Sequence, residues 1–140
     1  MKLERLFEVK EGKLYTVAGE PFPTEGRAFP VKWSDVENAP EEYNEDFLAK
    51  LREDLKAMEE KKEFVFIEPV FDKNGGAEQF TAAMKHCARR IKDCVSVIGF
   101  AIPSEILSQR DFYIEELSAK HGHYCFFCKE ASGDTLALYS

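Results

Sequence analysis

Phe64-Val65-Phe66-Ile67, Cys94 to Ile102 and Tyr124-Cys125-Phe126-Phe127-Cys128 are short, β-prone and almost wholly apolar. A strand with one wet face alternates apolar and polar residues, whereas a strand covered on both faces does not. The stretches between and before these runs carry helical spacing instead. Phe47, Leu51, Leu55 and Met58 form one such series, and Phe80, Met84, Cys87 and Ile91 a second. Ile106, Leu107, Phe112, Ile114 and Leu117 belong to a third helix. Doubly buried strands alternating with amphipathic helices demand a parallel sheet with right-handed crossovers. The predicted fold class is therefore α/β, with βαβ crossovers and a parallel sheet of about four strands, half of a TIM-barrel-like arrangement.

Punctuation residues set the boundaries. Leu6 to Val9 and Leu14 to Val17 flank Glu11-Gly12 and predict an N-terminal hairpin. Pro21, Pro23, Pro30 and Pro40 make residues 21–43 mostly irregular, with Gly26-Arg27-Ala28-Phe29 as a short strand inside them. Asn44 is placed to cap a helix, with Glu45 and Asp46 at the positive end of its dipole. Ser132-Gly133-Asp134 predicts a turn into a short C-terminal antiparallel strand, Leu136 to Tyr139. At 140 residues the chain fits one domain: 1–43 as hairpin and proline-rich lead-in, 44–140 as the βαβ core.

A net charge of −7 argues against nucleic acid and against an anionic membrane surface, since both recruit clustered cations. No apolar run approaches the roughly 20 residues of a membrane span. The opening Met1-Lys2-Leu3-Glu4-Arg5-Leu6 has no apolar signal region, so a cytoplasmic location is expected. Cys87 and Cys94 on a helix, and Cys125 and Cys128 on a strand, are each about 10 Å apart, too far for a local disulfide. Pairing between the two groups stays open; buried free thiols are the simpler reading.

The hairpin segment Phe7-Glu8-Val9-Lys10-Glu11-Gly12-Lys13-Leu14-Tyr15, with Gly19-Glu20-Pro21-Phe22 after it, resembles the opening of many glycoside hydrolase family 5 enzymes, the cellulases and mannanases. Phe80, Ala83, His86, Ala88, Arg89 and Arg90, followed by Val97-Ile98-Gly99-Phe100-Ala101-Ile102-Pro103-Ser104-Glu105, are similar to that family's third helix and fourth strand, where the strand ends in Asn-Glu-Pro. The resemblance implies the N-terminal half of a (β/α)8 barrel and places the family's acid/base on Glu105. The family's Asn falls on Ser104 and its Pro on Ile106. Its strand-3 His meets Glu68-Pro69-Val70, and its nucleophile comes from the second half of a barrel of about 250 residues.

In parallel sheets functional groups collect at the carboxyl ends of the strands, here Glu68-Pro69, Pro103-Ser104-Glu105 and Cys128-Lys129-Glu130. Glycoside hydrolysis needs two carboxylates across the bond, and Glu105 and Glu68 are the candidate pair. The plainer alternative has Ser104 as an N-cap, Glu105 in the first helical turn and Glu68 as a solvated strand end. Trp33 and Tyr43, aromatic residues in the proline-rich segment, are candidates for sugar contact together with Ser104. On an extended chain His121, His123 and Cys125 share one face while Cys128 points away, so no metal site is expected, and no cofactor. Lys85, Arg89 and Lys92, with Arg90 nearby, read as a solvated helix face, and Asn74-Gly75-Gly76 as a plain turn.

The expected function is a non-catalytic, glycosidase-like half barrel that binds carbohydrate. The alternatives are a glycoside hydrolase using Glu105, with a second carboxylate from Glu68 or a partner chain, and a scaffold domain without ligand. Open edges and the doubly apolar strand Tyr124 to Phe127 predict a homodimer.

Overall fold

A computed structural model describes residues 3–130 and 135–140. The chain opens on an antiparallel hairpin, β1 (Phe7–Lys10) and β2 (Lys13–Thr16). Then come β3 (Ala28–Lys32), the single turn α1 (Trp33–Val36), and a small antiparallel pair, β4 (Glu37–Ala39) and β5 (Glu42–Tyr43). The long helix α2 (Glu45–Glu60) leads to β6 (Val65–Val70), α3 (Ala77–Arg90) and β7 (Val97–Ala101). A 3₁₀ segment, Ser104–Gln109, runs into α4 (Arg110–Ser118), followed by β8 (Cys125–Cys128) and β9 (Ala137–Leu138).

The main sheet has five strands in the order β3-β6-β7-β8-β9, and every neighbouring pair is parallel. Consecutive strands lie side by side, as in one half of a barrel. Two expectations need correction. The strand expected near Gly26–Phe29 is β3, shifted to Ala28–Lys32 and paired along its whole length with β6. The terminal strand is parallel, not antiparallel. The segment from Cys128 to Ala137 is shorter than the about dozen residues of an ordinary crossover, which is what pointed to a hairpin return. It suffices because β9 pairs only with the far end of β8, Phe127 with Ala137 and Cys128 with Leu138. The predicted turn Ser132-Gly133-Asp134 lies outside the described residues.

Strand alternation gives the sheet two apolar faces. Val31, Ile67, Phe100, Phe126 and Cys128 face the helices, where Leu48, Leu51 and Leu55 of α2 and Phe80, Met84 and Cys87 of α3 meet them. Phe66, Ile98, Ala101, Cys125 and Phe127 face the other way, onto Phe7 and Leu14 of the hairpin with Phe22 and Phe64 packed alongside. Asn44 caps α2 as its position predicts, its side-chain oxygen accepting from the Phe47 amide at 3.1 Å.

The apolar strand that pointed to a dimer is covered within the chain. Tyr124 to Phe127 is interior to the chain: β8 has β7 on one side and β9 on the other, and its residues are buried. The outer edges are protected too. Pro30 sits mid-strand on edge strand β3, where it offers no N–H, and the Leu138 amide of β9 donates to the Gly12 carbonyl of the hairpin at 3.0 Å.

Candidate functional site at the strand ends

Glu68 lies two residues beyond Phe66 on β6 and so projects to the hairpin side of the sheet, near that strand's carboxyl end. Two groups from elsewhere in the chain reach it. The Tyr139 hydroxyl donates to Glu68 Oε2 at 2.7 Å, and Lys129 Nζ lies 3.7 Å from the same oxygen. The position of Tyr139 follows from the parallel course of β9, where its amide donates to the Cys128 carbonyl at 3.1 Å. Its ring stands edge-on to Phe66, centroids 4.9 Å apart, with Lys129 Nζ 5.6 Å above it. Burial, then the neighbouring Glu68, push the Tyr139 phenol well up, so it stays protonated and donates.

Beyond β7, Pro103 turns the chain into the 3₁₀ segment. Pro103, not Ser104, occupies the cap position, and no side chain caps the segment, which corrects the N-cap expectation for Ser104. Ser104 and Glu105 are exposed in the first turn, and Glu105 makes no side-chain hydrogen bond among the described residues. The structure nevertheless brings the candidate groups together. Glu68, Ser104, Glu105, Lys129 and Tyr139, with Pro103 between them, line one cleft of about 250 Å³.

The aromatic candidates are elsewhere. Trp33 has 0% exposure and so has no surface to offer a sugar. Its indole N–H donates to Glu37 Oε1 at 2.9 Å, and its ring packs on Phe71 and Phe80. Glu37, itself buried, takes a second bond from Gln79 Nε2 at 2.8 Å, and Lys73 Nζ lies 3.6 Å away. Tyr43 stacks on His86 with centroids 4.0 Å apart and lines a different and larger concavity on the helix side.

The His/Cys segment does not form the face that an extended chain implies. His121 and His123 sit in a turn before β8 begins at Cys125. Cys125 belongs to the hairpin-side core and Cys128 to the helix-side core, so the thiols point apart. All four cysteines are free and buried; burial pushes Cys87 up to about 12 and Cys94 and Cys125 up to about 11, far from thiolate chemistry. Among the described residues no group of three or more His, Cys, Asp or Glu side chains is arranged to hold a metal ion, and no helix is long and apolar enough to cross a membrane.

No protein-family model matches this chain, and neither does any curated protein searched. The case for the site therefore stands on its geometry. Sequence reasoning missed Lys129 and Tyr139 as members of it. The strand-end rule had already singled out the Cys128-Lys129-Glu130 region; Tyr139 carries no local signal, because its place depends on the direction of β9.

Proposed function

We propose that this chain is a half barrel of glycosidase-like architecture that binds a single sugar or similar polyol in the strand-end cleft without cleaving it. The observation that supports this reading is the convergence of Glu68, Ser104, Glu105, Lys129 and Tyr139, from four different strand ends, on one concavity. A carboxylate that accepts from hydroxyl pairs, an ammonium and a hydroxyl that donate, and the edge of a tyrosine ring are the groups that recognise a polyol. The volume, about 250 Å³, falls below the ~300–1,000 Å³ of pockets for drug-sized ligands and suits one ring rather than an extended glycan.

Binding is favoured over hydrolysis by the state of the two carboxylates. Cleavage needs one carboxyl as proton donor and a second free to attack or to activate water. Glu68 spends Oε2 on Tyr139 and Lys129, which fixes it as an acceptor. Glu105 is exposed, and no group among the described residues holds its orientation. The experiment is calorimetry against glucose, mannose and their short oligomers, with Tyr139→Phe and Glu68→Gln variants, beside an aryl-glycoside assay of native protein and Glu105→Gln. The expected outcome is monosaccharide binding that both cleft variants weaken, and no hydrolysis above background. A hydrolytic rate abolished by Glu105→Gln would replace this reading with the hydrolase. Absence of binding by every sugar would replace it with the ligand-free scaffold.

A further inference from the structure

A concavity of about 670 Å³, larger than the strand-end cleft, lies on the helix side between α3 and α4. Its charge is opposite to that of the chain. Lys85, Arg89 and Lys92 come from α3 and the turn after it, and Lys120 from the turn after α4. The one carboxylate in the lining, Glu116, is held by Lys85 at 2.9 Å. A second concavity of about 310 Å³ shares Lys92, Lys120 and His121 with the first and adds Arg5 and His123, so the cationic surface is continuous.

Several exposed cations elsewhere are paired, and those that are unpaired among the described residues, Lys13, Lys32, Lys61 and Lys62, do not line this groove. Lys50 pairs with Asp54, Arg52 with Asp93, and Arg90 with Glu45. Arg89, Lys92 and Lys120, in contrast, make no ion pair or side-chain hydrogen bond among the described residues, although the chain carries a net charge of −7. Leaving three cations unpaired around one concavity focuses a positive field there that salt-bridge formation would cancel.

Two features mark the groove as built to receive a ligand. His121 lines both concavities, is only 7% exposed, and its side chain has no hydrogen-bond partner among the described residues. Its imidazole lies where the two concavities meet, in the same lining as Lys92 and Lys120. Tyr43 and His86 belong to the same lining: Tyr43 stacks on His86, and His86 is bonded to Glu45 at 2.8 Å. Ala82 of α3 also lines the groove and is too small to fill it.

We propose that this groove binds a small molecule carrying two or more phosphate groups, with Arg89, Lys92 and Lys120 as the charge-bearing contacts and His121 as a hydrogen-bonding group. Phosphate chemistry matches the arrangement because a guanidinium fork and clustered ammonium groups together suit tetrahedral oxyanions. A small molecule is favoured over a polynucleotide because the cations surround a bounded concavity rather than track an extended path, and the rest of the acidic surface repels a polyanion. The proposal is independent of sugar binding at the strand ends.

The test is calorimetric titration of the native protein with inorganic pyrophosphate and tripolyphosphate at low ionic strength, with amide shift mapping by NMR. Binding is expected, with the largest shifts at Arg89, Lys92, Lys120 and His121. The double variant Arg89→Gln/Lys120→Gln changes exposed side chains only and should keep the native thermal midpoint while weakening binding at least about tenfold, which is about 1.4 kcal/mol. Lys61→Gln, an exposed control away from the groove, should leave affinity unchanged. The proposal is overturned if neither phosphate binds, if the double variant binds as the native protein does, or if the shifts fall outside the groove. It is equally overturned if a single-stranded oligonucleotide binds more tightly than tripolyphosphate at matched salt.

Discussion

Gly99 shows how one residue fixes the sheet. It sits in β7 directly opposite Cys125 of β8, and an added Cβ would overlap the Cys125 carbonyl oxygen and lie 2.7 Å from that residue's carbonyl carbon and amide nitrogen. The obstruction is backbone in a central strand, so it cannot swing away. Gly99→Ala is expected to cost at least the upper end of the ~1–3 kcal/mol typical of overpacking, read as a fall in the urea midpoint. Nothing local in Val97-Ile98-Gly99-Phe100-Ala101 reveals this, because the clash belongs to a partner 26 residues on, in a strand whose register is set elsewhere. Trp33 teaches the same limit. An aromatic residue among prolines reads as a surface platform, but Glu37, Phe71 and Phe80 enclose it. Glu68 and Glu105 were legible because strand ends in parallel sheets are special whatever the remote packing.

At the scale of elements, the hairpin is the cover of one sheet face rather than an appendage. Phe7 is buried against Phe22 and Phe64, ring centroids 4.7 and 5.1 Å away, above Phe66 and Phe127. Phe7→Ala is expected to destabilise the whole fold by about 3–5 kcal/mol, as for other buried phenylalanines, with one cooperative transition by fluorescence and by circular dichroism. If only local fraying near β1 were seen, with the global midpoint unmoved, the hairpin would be an independent unit. The elements themselves were well marked in the sequence. The spacing of Leu51 and Leu55 behind Asn44 gives α2, and the apolar run of β6 gives its burial, because both are local patterns. Strand direction is not local, which is why β9 was expected to run the other way, and Pro30 disguised how far β3 extends.

For the molecule as a whole, stability should depend on pH in two steps. Burial first, then His123 and Lys92, push the His121 ring from its ordinary 6.5 down to about 4, and burial lowers His123 in the same direction. Between about pH 6.5 and 4 the unfolded chain takes up protons that the folded state refuses. Stability is full above that window and falls as pH drops through it, by at most about 1.4 kcal/mol per pH unit for each histidine. Glu45 acts lower: its bond to Arg90 chiefly, and then to His86, hold its carboxyl down at about 2 against an ordinary 4.5. Its contribution is present above 4.5 and is lost toward 2. Urea midpoints across this range, in buffers free of phosphate, should show both steps, and His121→Gln should flatten the upper one. A midpoint flat from pH 7 to about 4 would contradict the buried, neutral histidines.

The hairpin is also a clasp. Arg5 donates to the Gly122 carbonyl, Leu138 to the Gly12 carbonyl, and Thr24 to the Leu138 carbonyl, so the opening segment is fastened to residues more than a hundred positions away. Closing so large a loop is entropically costly and falls late in folding, so the hairpin's apolar side is covered late. The partly folded chain is thus most vulnerable to chaperone capture and to self-association while β6, β7 and β8 are paired but their second face has no cover.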